Sequence, residues 1–224
     1  MTTANHQGPA VTAEEIVAAL SEQAPTTVYE AAGKTGAMDA TLRPVAPGMR
    51  LSGRALTVRC QPADNLTLHA AVALAKPGDV IVADVGGFVE AGHWGEILIV
   101  AAQQRGIAGL VINGGVRDID AARRRNFPVF AGGVSMKATV KDVLGSINEP
   151  IVCGGVTVRP GDVVLGDDDG VVVLPIDTAA DALQAAIARE TAELEVMRRL
   201  QAGALTIDIL GFRDKLPQSG GSDS

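Results

Sequence analysis

Two short segments bring together groups able to handle a small anion and a metal ion. Gly95-Glu96-Ile97-Leu98 places a carboxylate at the start of an apolar helical run, and Gly114-Gly115-Val116-Arg117-Asp118 places a guanidinium and a second carboxylate behind an apolar strand. The first turn of a helix presents unpaired N–H groups and the positive end of its dipole, which suit a carboxylate or phosphate. Arg117 offers a planar fork for a carboxylate, and Asp118 a hard oxygen for Mg²⁺ or Mn²⁺. Each segment also has a plainer reading. Glu96 is a favourable charge in the first turn of any helix, and Asp118 can cap the helix that follows with Arg117 as its ion pair. Asn113 can orient the glycine turn or meet a ligand.

Other reactive side chains narrow the field. His6, His69 and His93 have no second His or Cys at ligand spacing, which argues against zinc; His69 reads as structural, and His93 stays open beside the glycines. Cys60 and Cys153, far apart in apolar surroundings, read as reduced core residues. Lys137 and Lys141 are candidates for a Schiff base only if desolvated, and surface lysines are the simpler reading. Asp167-Asp168-Asp169-Gly170 lacks calcium-loop spacing and reads as a hairpin turn. The net charge is −7, and the one basic cluster, Arg123-Arg124-Arg125, reads as a solvated helix face, so nucleic acid is not the expected partner.

The elements that must position these groups alternate. A capping box at Thr12 and Glu15 starts a helix over 12–20, and a second short helix is expected over 27–33. The Pro/Gly-rich stretch 36–53 reads as loop. Strands over 54–60, 80–85, 109–112 and 129–131 alternate with helices over 65–75, 95–104 and 119–125, which implies an α/β layered core. Short strands over 156–159, 162–165 and 171–174, punctuated by Arg159-Pro160-Gly161 and Asp167-Asp168-Asp169-Gly170, read as hairpins and make the sheet mixed. A long helix over 178–201 carries Leu183, Ile187, Leu194 and Met197 on one face, bordered by Glu190 and Glu193. At 47% hydrophobic and 3% aromatic residues the chain suits one close-packed domain over 1–216, with a disordered Gly/Ser-rich tail over 217–224. With no basic-then-apolar leader and no long apolar run, a soluble cytoplasmic protein is expected.

In this order the segments resemble the RraA-like superfamily, and within it the 4-hydroxy-4-methyl-2-oxoglutarate / 4-carboxy-4-hydroxy-2-oxoadipate aldolases. The likeness runs from about residue 28 to 216. It is carried by Ala63-Asp64-Asn65, Pro77-Gly78-Asp79, Gly95-Glu96-Ile97-Leu98, Gln104-Arg105-Gly106, Gly114 to Asp118, Phe127-Pro128-Val129, Leu144-Gly145-Ser146, Pro150-Ile151-Val152-Cys153 and Pro160-Gly161-Asp162 through Val171.

The resemblance implies a swivelling β/β/α sandwich with a mixed sheet and a long C-terminal helix, assembled as homotrimers or homohexamers with sites between subunits. It implies Mg²⁺ or Mn²⁺ held at Asp118, largely through water, with Glu96 and a neighbouring subunit's Glu193 anchoring the water shell. Arg117 and the backbone amides of 95–98 would grip the pyruvyl end of a 2-oxo acid, with Asn65 among the substrate-binding residues. The implied reaction cleaves a 4-hydroxy-2-oxo acid to pyruvate and a second oxo acid, with oxaloacetate decarboxylation as a side activity, since both pass through pyruvate enolate. The catalytic set is Arg117, Asp118 and Glu193. Two departures stand out: Glu96 occupies a position where these aldolases carry Asp, and Asn113 one where Asp is common. The alternative is a protein-binding regulator like the superfamily's ribonuclease E inhibitors. A methyltransferase reading ranks last, because no glycine-rich nucleoside loop follows a first strand.

Overall fold

A computed structural model describes residues 12–216; His6 and the tail over 217–224 lie outside them. Two helices lead the chain. In α1 (Ala13–Ser21) the Thr12 hydroxyl accepts the Glu15 N–H and the Glu15 carboxylate accepts the Thr12 N–H at 2.8 Å, the reciprocal cap expected from the sequence. Helix α2 (Pro25–Ala31) begins two residues earlier than expected, because Pro25 occupies the first helical position, where no N–H is needed.

The stretch read as loop contains β1 (Arg43–Pro44) and the start of β2 (Leu51–Arg59). Then α3 (Leu66–Leu74), β3 (Asp79–Asp84), α4 (Glu96–Gln104), β4 (Gly109–Val116), α5 (Ile119–Arg124) and β5 (Val129–Val134) alternate as expected. Strands β2, β3, β4 and β5 are parallel neighbours in that order. The residues Val80-Ile81-Val82-Ala83 are buried on both faces, as a continuous apolar run in a covered parallel strand should be.

The rest of the chain completes a mixed sheet. Strand β6 (Ser146–Ile147) runs antiparallel to the end of β2. Strands β7 (Ile151–Cys153) and β8 (Val156–Val158) form a separate hairpin. Strand β9 (Val163–Asp167) lies antiparallel to β2, and β10 (Gly170–Leu174) antiparallel to β9. The order across the large sheet is β1-β5-β4-β3-β2-β9-β10. Its two ends approach each other: Arg43 on β1 donates to the Asp169 carbonyl at 2.8 Å, and the Asp168 carboxylate accepts the Gly48 N–H at 2.8 Å. The sheet is therefore nearly a closed barrel, and the acidic turn fastens its edges. The Arg159-Pro160-Gly161 punctuation does not close a hairpin; it links the β7–β8 hairpin to the main sheet.

One apolar cluster fills the sheet beneath α3 and α4 around Ile81, Leu110, Val111 and Phe130. A second sits between α1, α2, strands β9 and β10, and the first turns of α6 (Ala179–Gln201). The fold is thus α/β, with a mixed sheet and a 23-residue C-terminal helix. Cys60 and Cys153 are free and buried, as read; burial pushes both thiols up to about 12.

The chain divides into two compact units at Ala186. Beyond it lie the remainder of α6, α7 (Thr206–Ile209) and a short 3-10 turn (Arg213–Lys215). In this unit Asp208 pairs with Arg213, and the Lys215 ammonium stands 4.7 Å from the centre of the Phe212 ring. Leu194, Met197, Leu205 and Leu210 are exposed.

Candidate active site

The site forms where β4 ends. The sequence suggests a glycine turn after Ile112, but the strand continues through Gly114 and Gly115 to Val116, with a shift of register against β5. The cause is the loop over 85–95, which folds onto this strand end. The Gly115 N–H donates to the Phe88 carbonyl, the His93 N–H to the Gly115 carbonyl at 2.9 Å, and the Arg117 N–H to the Trp94 carbonyl at 2.8 Å. Glycines let the backbones approach: a Cβ on Gly115 would fall 2.6 Å from the Ala91 carbonyl oxygen.

His93 holds this loop. Its ring is buried, its Nε2 accepts the Ala63 N–H at 3.1 Å, and its Nδ1 lies 3.1 Å from the Gly115 carbonyl oxygen. The acceptor role of Nε2 assigns the proton to Nδ1. Burial holds the imidazole below its ordinary pKa despite the opposing pull of the Gly115 carbonyl. Asn65 adds a second tie, with Nδ2 donating to the His93 carbonyl at 2.8 Å. The question left open by the sequence is answered: His93 and Trp94 are buried and do not line the cleft. Asn113 likewise braces the strand ends, accepting the Val85 N–H and donating to Asp84.

Asp118 takes the left-handed conformation at φ 56°, one that Asp tolerates better than most residues. It precedes α5 without capping it through its side chain. Its Oδ2 instead accepts the Glu96 N–H of α4 at 2.9 Å and lies 3.8 Å from the Arg117 Nε. Gly95 makes this approach possible, because a Cβ there would stand 2.5 Å from the same oxygen. Ile97 and Leu98 follow in the first turn of α4, where N–H groups have no carbonyl a turn earlier to bond.

Around this centre lies a cleft of about 100 Å³, lined by Gly95, Ile97, Leu98, Arg117 and Asp118 together with Asn65 just before α3, His69 of α3 and Lys141. Burial first, and then the Lys141 charge, lower the His69 pKa, so this imidazole is neutral at neutral pH. Two cations and one carboxylate then face the cleft, on a chain whose net charge is −7. The Asn65 amide is 7% exposed, and its Oδ1 has no hydrogen-bond partner. Since the His93 carbonyl must face the amide nitrogen, this orphaned oxygen is left for a ligand's donor or a water.

Glu96 and Glu193, also expected at the site, each form an ion pair. The Glu96 carboxylate is held by Arg125, with Nε at 3.0 Å and Nη2 at 2.8 Å, and does not line the cleft. Glu193 belongs to the second unit, where it pairs with Arg189 at 2.8 Å. Among the described residues no group of three or more His, Cys, Asp or Glu side chains could hold a metal ion. The cleft therefore does not fit an ion caged by protein. It does fit a strongly hydrated Mg²⁺-like ion gripped by one carboxylate, because Asp118 is partly exposed and its Oδ1 bonds to no described residue.

Sequence reasoning missed three contributors. The partner of Arg125 lies 29 positions away, with no local periodicity to reveal it. Asp64 is buried, and its position beside Asn65 drew no role of its own. Lys141 is exposed, as a surface lysine should be, but it also lines the cleft, whereas Lys137 pairs with Glu90 at 2.5 Å.

This fold, with an Arg-Asp pair set against a helix start, defines a class of protein. A family model described as RraA-like, aldolase/RraA, matches residues 17–173, and the chain belongs to that family. A Halalkalibacterium halodurans protein that carries the provisional name 4-hydroxy-4-methyl-2-oxoglutarate aldolase is 41% identical over 149 residues, covering 66% of this chain and 71% of that one. Among solved structures, an uncharacterised protein from Pseudomonas syringae pv. tomato superposes with a TM-score of 0.76 at 28% identity, over 86% of this chain and 94% of that one. The RNA-processing inhibitor RraA from Thermus thermophilis superposes with a TM-score of 0.62 at 27% identity, over 68% and 92%. Among the described residues no helix is long and apolar enough to cross a membrane.

Proposed function

We propose that this protein is a divalent-metal-dependent pyruvate aldolase, a carbon–carbon lyase. It cleaves a 4-hydroxy-2-oxo di- or tricarboxylic acid, such as 4-hydroxy-4-methyl-2-oxoglutarate or 4-carboxy-4-hydroxy-2-oxoadipate, to pyruvate and a second oxo acid. The observation that carries this reading is the placement of Arg117 and Asp118 against the first turn of α4, with Gly95 keeping the approach open. The relative with the provisional aldolase name supports it.

Asp118 would hold the hydrated Mg²⁺ or Mn²⁺, with Glu193 of a second copy completing the water shell. Glu96, held by Arg125, contributes through its backbone N–H rather than its carboxylate. The ion, when bound, supplies Lewis-acid stabilisation of the enolate charge that C3–C4 cleavage develops. Arg117 adds a fixed positive charge and binds the 1-carboxylate, and the N–H groups of Ile97 and Leu98 complete that anion cradle. The Asn65 Oδ1 accepts a hydrogen bond from substrate or its bound water. A carboxylate, of Asp118 or Glu193, draws the C4 hydroxyl proton through an intervening water. The same anion cradle would bind oxaloacetate, whose decarboxylation yields the same enolate.

The test is pyruvate release from 4-hydroxy-4-methyl-2-oxoglutarate and from oxaloacetate, with Mg²⁺ and with EDTA. Turnover of both that EDTA abolishes is the expected result. A folded protein that binds Mg²⁺ and turns over neither would favour the family's regulatory branch, to which the Thermus RraA belongs by name.

A further inference from the structure

We propose that the cavity between α1 and the start of β3 is a second binding site, which takes the carboxylate of a small amphipathic acid on Arg54 and Lys76. It lies where β3 begins, whereas the cleft lies where the parallel neighbour β4 ends, and the two share no residue. The inference therefore stands apart from the aldolase reading.

The cavity encloses about 380 Å³, a volume typical of small-ligand pockets, against about 100 Å³ for the cleft. Its walls follow from the local structure. Strand β2 sets Arg54 beside Asp79, the first residue of β3, and the Ser52 hydroxyl of the same strand donates to the Val17 carbonyl of α1 at 3.3 Å. The Pro77-Gly78 turn into β3 is closed by Asp79, whose Oδ2 accepts the Lys76 N–H at 2.8 Å. Val17, Ala18 and Pro77 give the cavity an apolar wall, and Arg54 and Lys76 give it positive charge.

Two cations would mean little if protein groups already satisfied them, and here they do not. The Arg54 Nε is buried with no hydrogen-bond partner, and its other guanidinium nitrogens bond to no described residue. Arg54 pairs only with Glu14 among the described residues. At 3.7 Å that contact is beyond hydrogen-bond reach, and the Glu14 side chain is 76% exposed, where water screens its charge. Lys76 is exposed, and its ammonium pairs with no described residue. A buried N–H without an acceptor costs free energy, so this guanidinium calls for an acceptor from outside the chain. At Gly161 a Cβ would stand 3.0 Å from the Arg54 Nη2, so glycine keeps that turn clear of the guanidinium. A further cavity of about 260 Å³ beside Gly161 also reaches Arg54 and Lys76, which thus stand where two cavities meet.

The walls define the ligand. A carboxylate matches the planar fork of Arg54, and an apolar body matches Val17, Ala18 and Pro77. Glu14 and Asp79 line the same cavity and repel a second negative charge, so a monocarboxylate fits and a phosphate dianion does not.

The experiment compares 3-phenylpropanoate with its uncharged isostere 3-phenylpropanamide in calorimetric titrations of the full chain. Wild type, Arg54→Met, Lys76→Met and Arg117→Ala are measured. Wild type should bind the acid and not the amide. Arg54→Met should weaken the acid at least roughly tenfold, the size of one charge-assisted hydrogen bond. Lys76→Met should weaken it roughly threefold, as befits an exposed charge, and Arg117→Ala should leave it unchanged. Lys76 lies on the surface, so its variant keeps the fold and decides the case should Arg54→Met not fold. Equal binding of acid and amide, no binding of the acid by wild type, or undiminished binding in Arg54→Met or Lys76→Met would each overturn the proposal. Loss of binding in Arg117→Ala would place the acid in the oxo-acid cleft and overturn it likewise.

Discussion

At the scale of single residues, the site depends on missing atoms as much as on present ones. Gly95 has an ordinary extended backbone at φ −150°, so what it provides is space beside the Asp118 carboxylate. Gly95→Ala should therefore fold normally by circular dichroism yet displace that carboxylate. A misplacement of about 1 Å can cost roughly a hundredfold, so kcat/KM for pyruvate release should fall on the order of tenfold to a hundredfold. His93 gives a prediction about pH. Its folded pKa lies below the ordinary 6.5, so the unfolded chain takes up the proton first as pH falls. The stability His93 contributes is present above pH 6.5 and is lost as pH falls from there through the folded value. In thermal melts, wild type should lose more stability over that window than His93→Gln, whose side chain does not titrate. The sequence exposed Arg117 and Asp118 as chemistry because a guanidinium and a carboxylate stand directly behind a glycine pair. It could not expose the Asn65–His93 tie or the Glu96–Arg125 pair, each of which joins residues nearly thirty positions apart.

At the scale of elements, the four parallel strands and the helices between them were legible because β-rich and apolar runs alternate with segments of helical spacing, punctuated by Gly and Pro. The extension of β4 through Gly114 and Gly115 was not, since glycines signal a turn locally and a close backbone approach only when the covering loop is known. Strand β1 was hidden for a related reason: two residues within a Pro/Gly-rich stretch pair with β5 and carry no period of their own. The loop that presents Lys141 is the element most open to test. Asp64→Asn would set an amide NH₂ against N–H donors, those of Asp142 and Val143 or of Leu66, that now meet a carboxylate oxygen. It should cost about 3 kcal/mol, or roughly 6–12 °C in Tm for a chain of this size, as read by thermal melting. A smaller loss would mean that the Ala63–Val140 and Asn65–Val140 backbone bonds hold the loop by themselves.

At the scale of the whole molecule, the cleft in one copy has a single exposed carboxylate, while Glu193 lies in a separate compact unit. The apolar stripe on the long helix was visible in sequence from its spacing. Its partner was not, because that spacing says which face packs and nothing about what covers it. The proposal that Glu193 acts across a subunit boundary predicts complementation. Arg117→Ala and Glu193→Gln should each be nearly inactive as pure proteins. After the two are mixed under conditions that exchange subunits, about a quarter of the sites should be whole, with pyruvate release recovering in proportion. No recovery despite exchange demonstrated by mass spectrometry would return Glu193 to a role within its own helix.

The most direct measurement is kcat/KM for pyruvate release from 4-hydroxy-4-methyl-2-oxoglutarate at saturating Mg²⁺, wild type against Asp118→Asn. Asparagine tolerates the left-handed backbone and can still accept the Glu96 N–H, so the fold and the start of α4 should be preserved while the anionic grip on the metal is lost. The account predicts a fall of at least roughly a thousandfold with an unchanged melting temperature. Turnover near that of wild type in Asp118→Asn would contradict it.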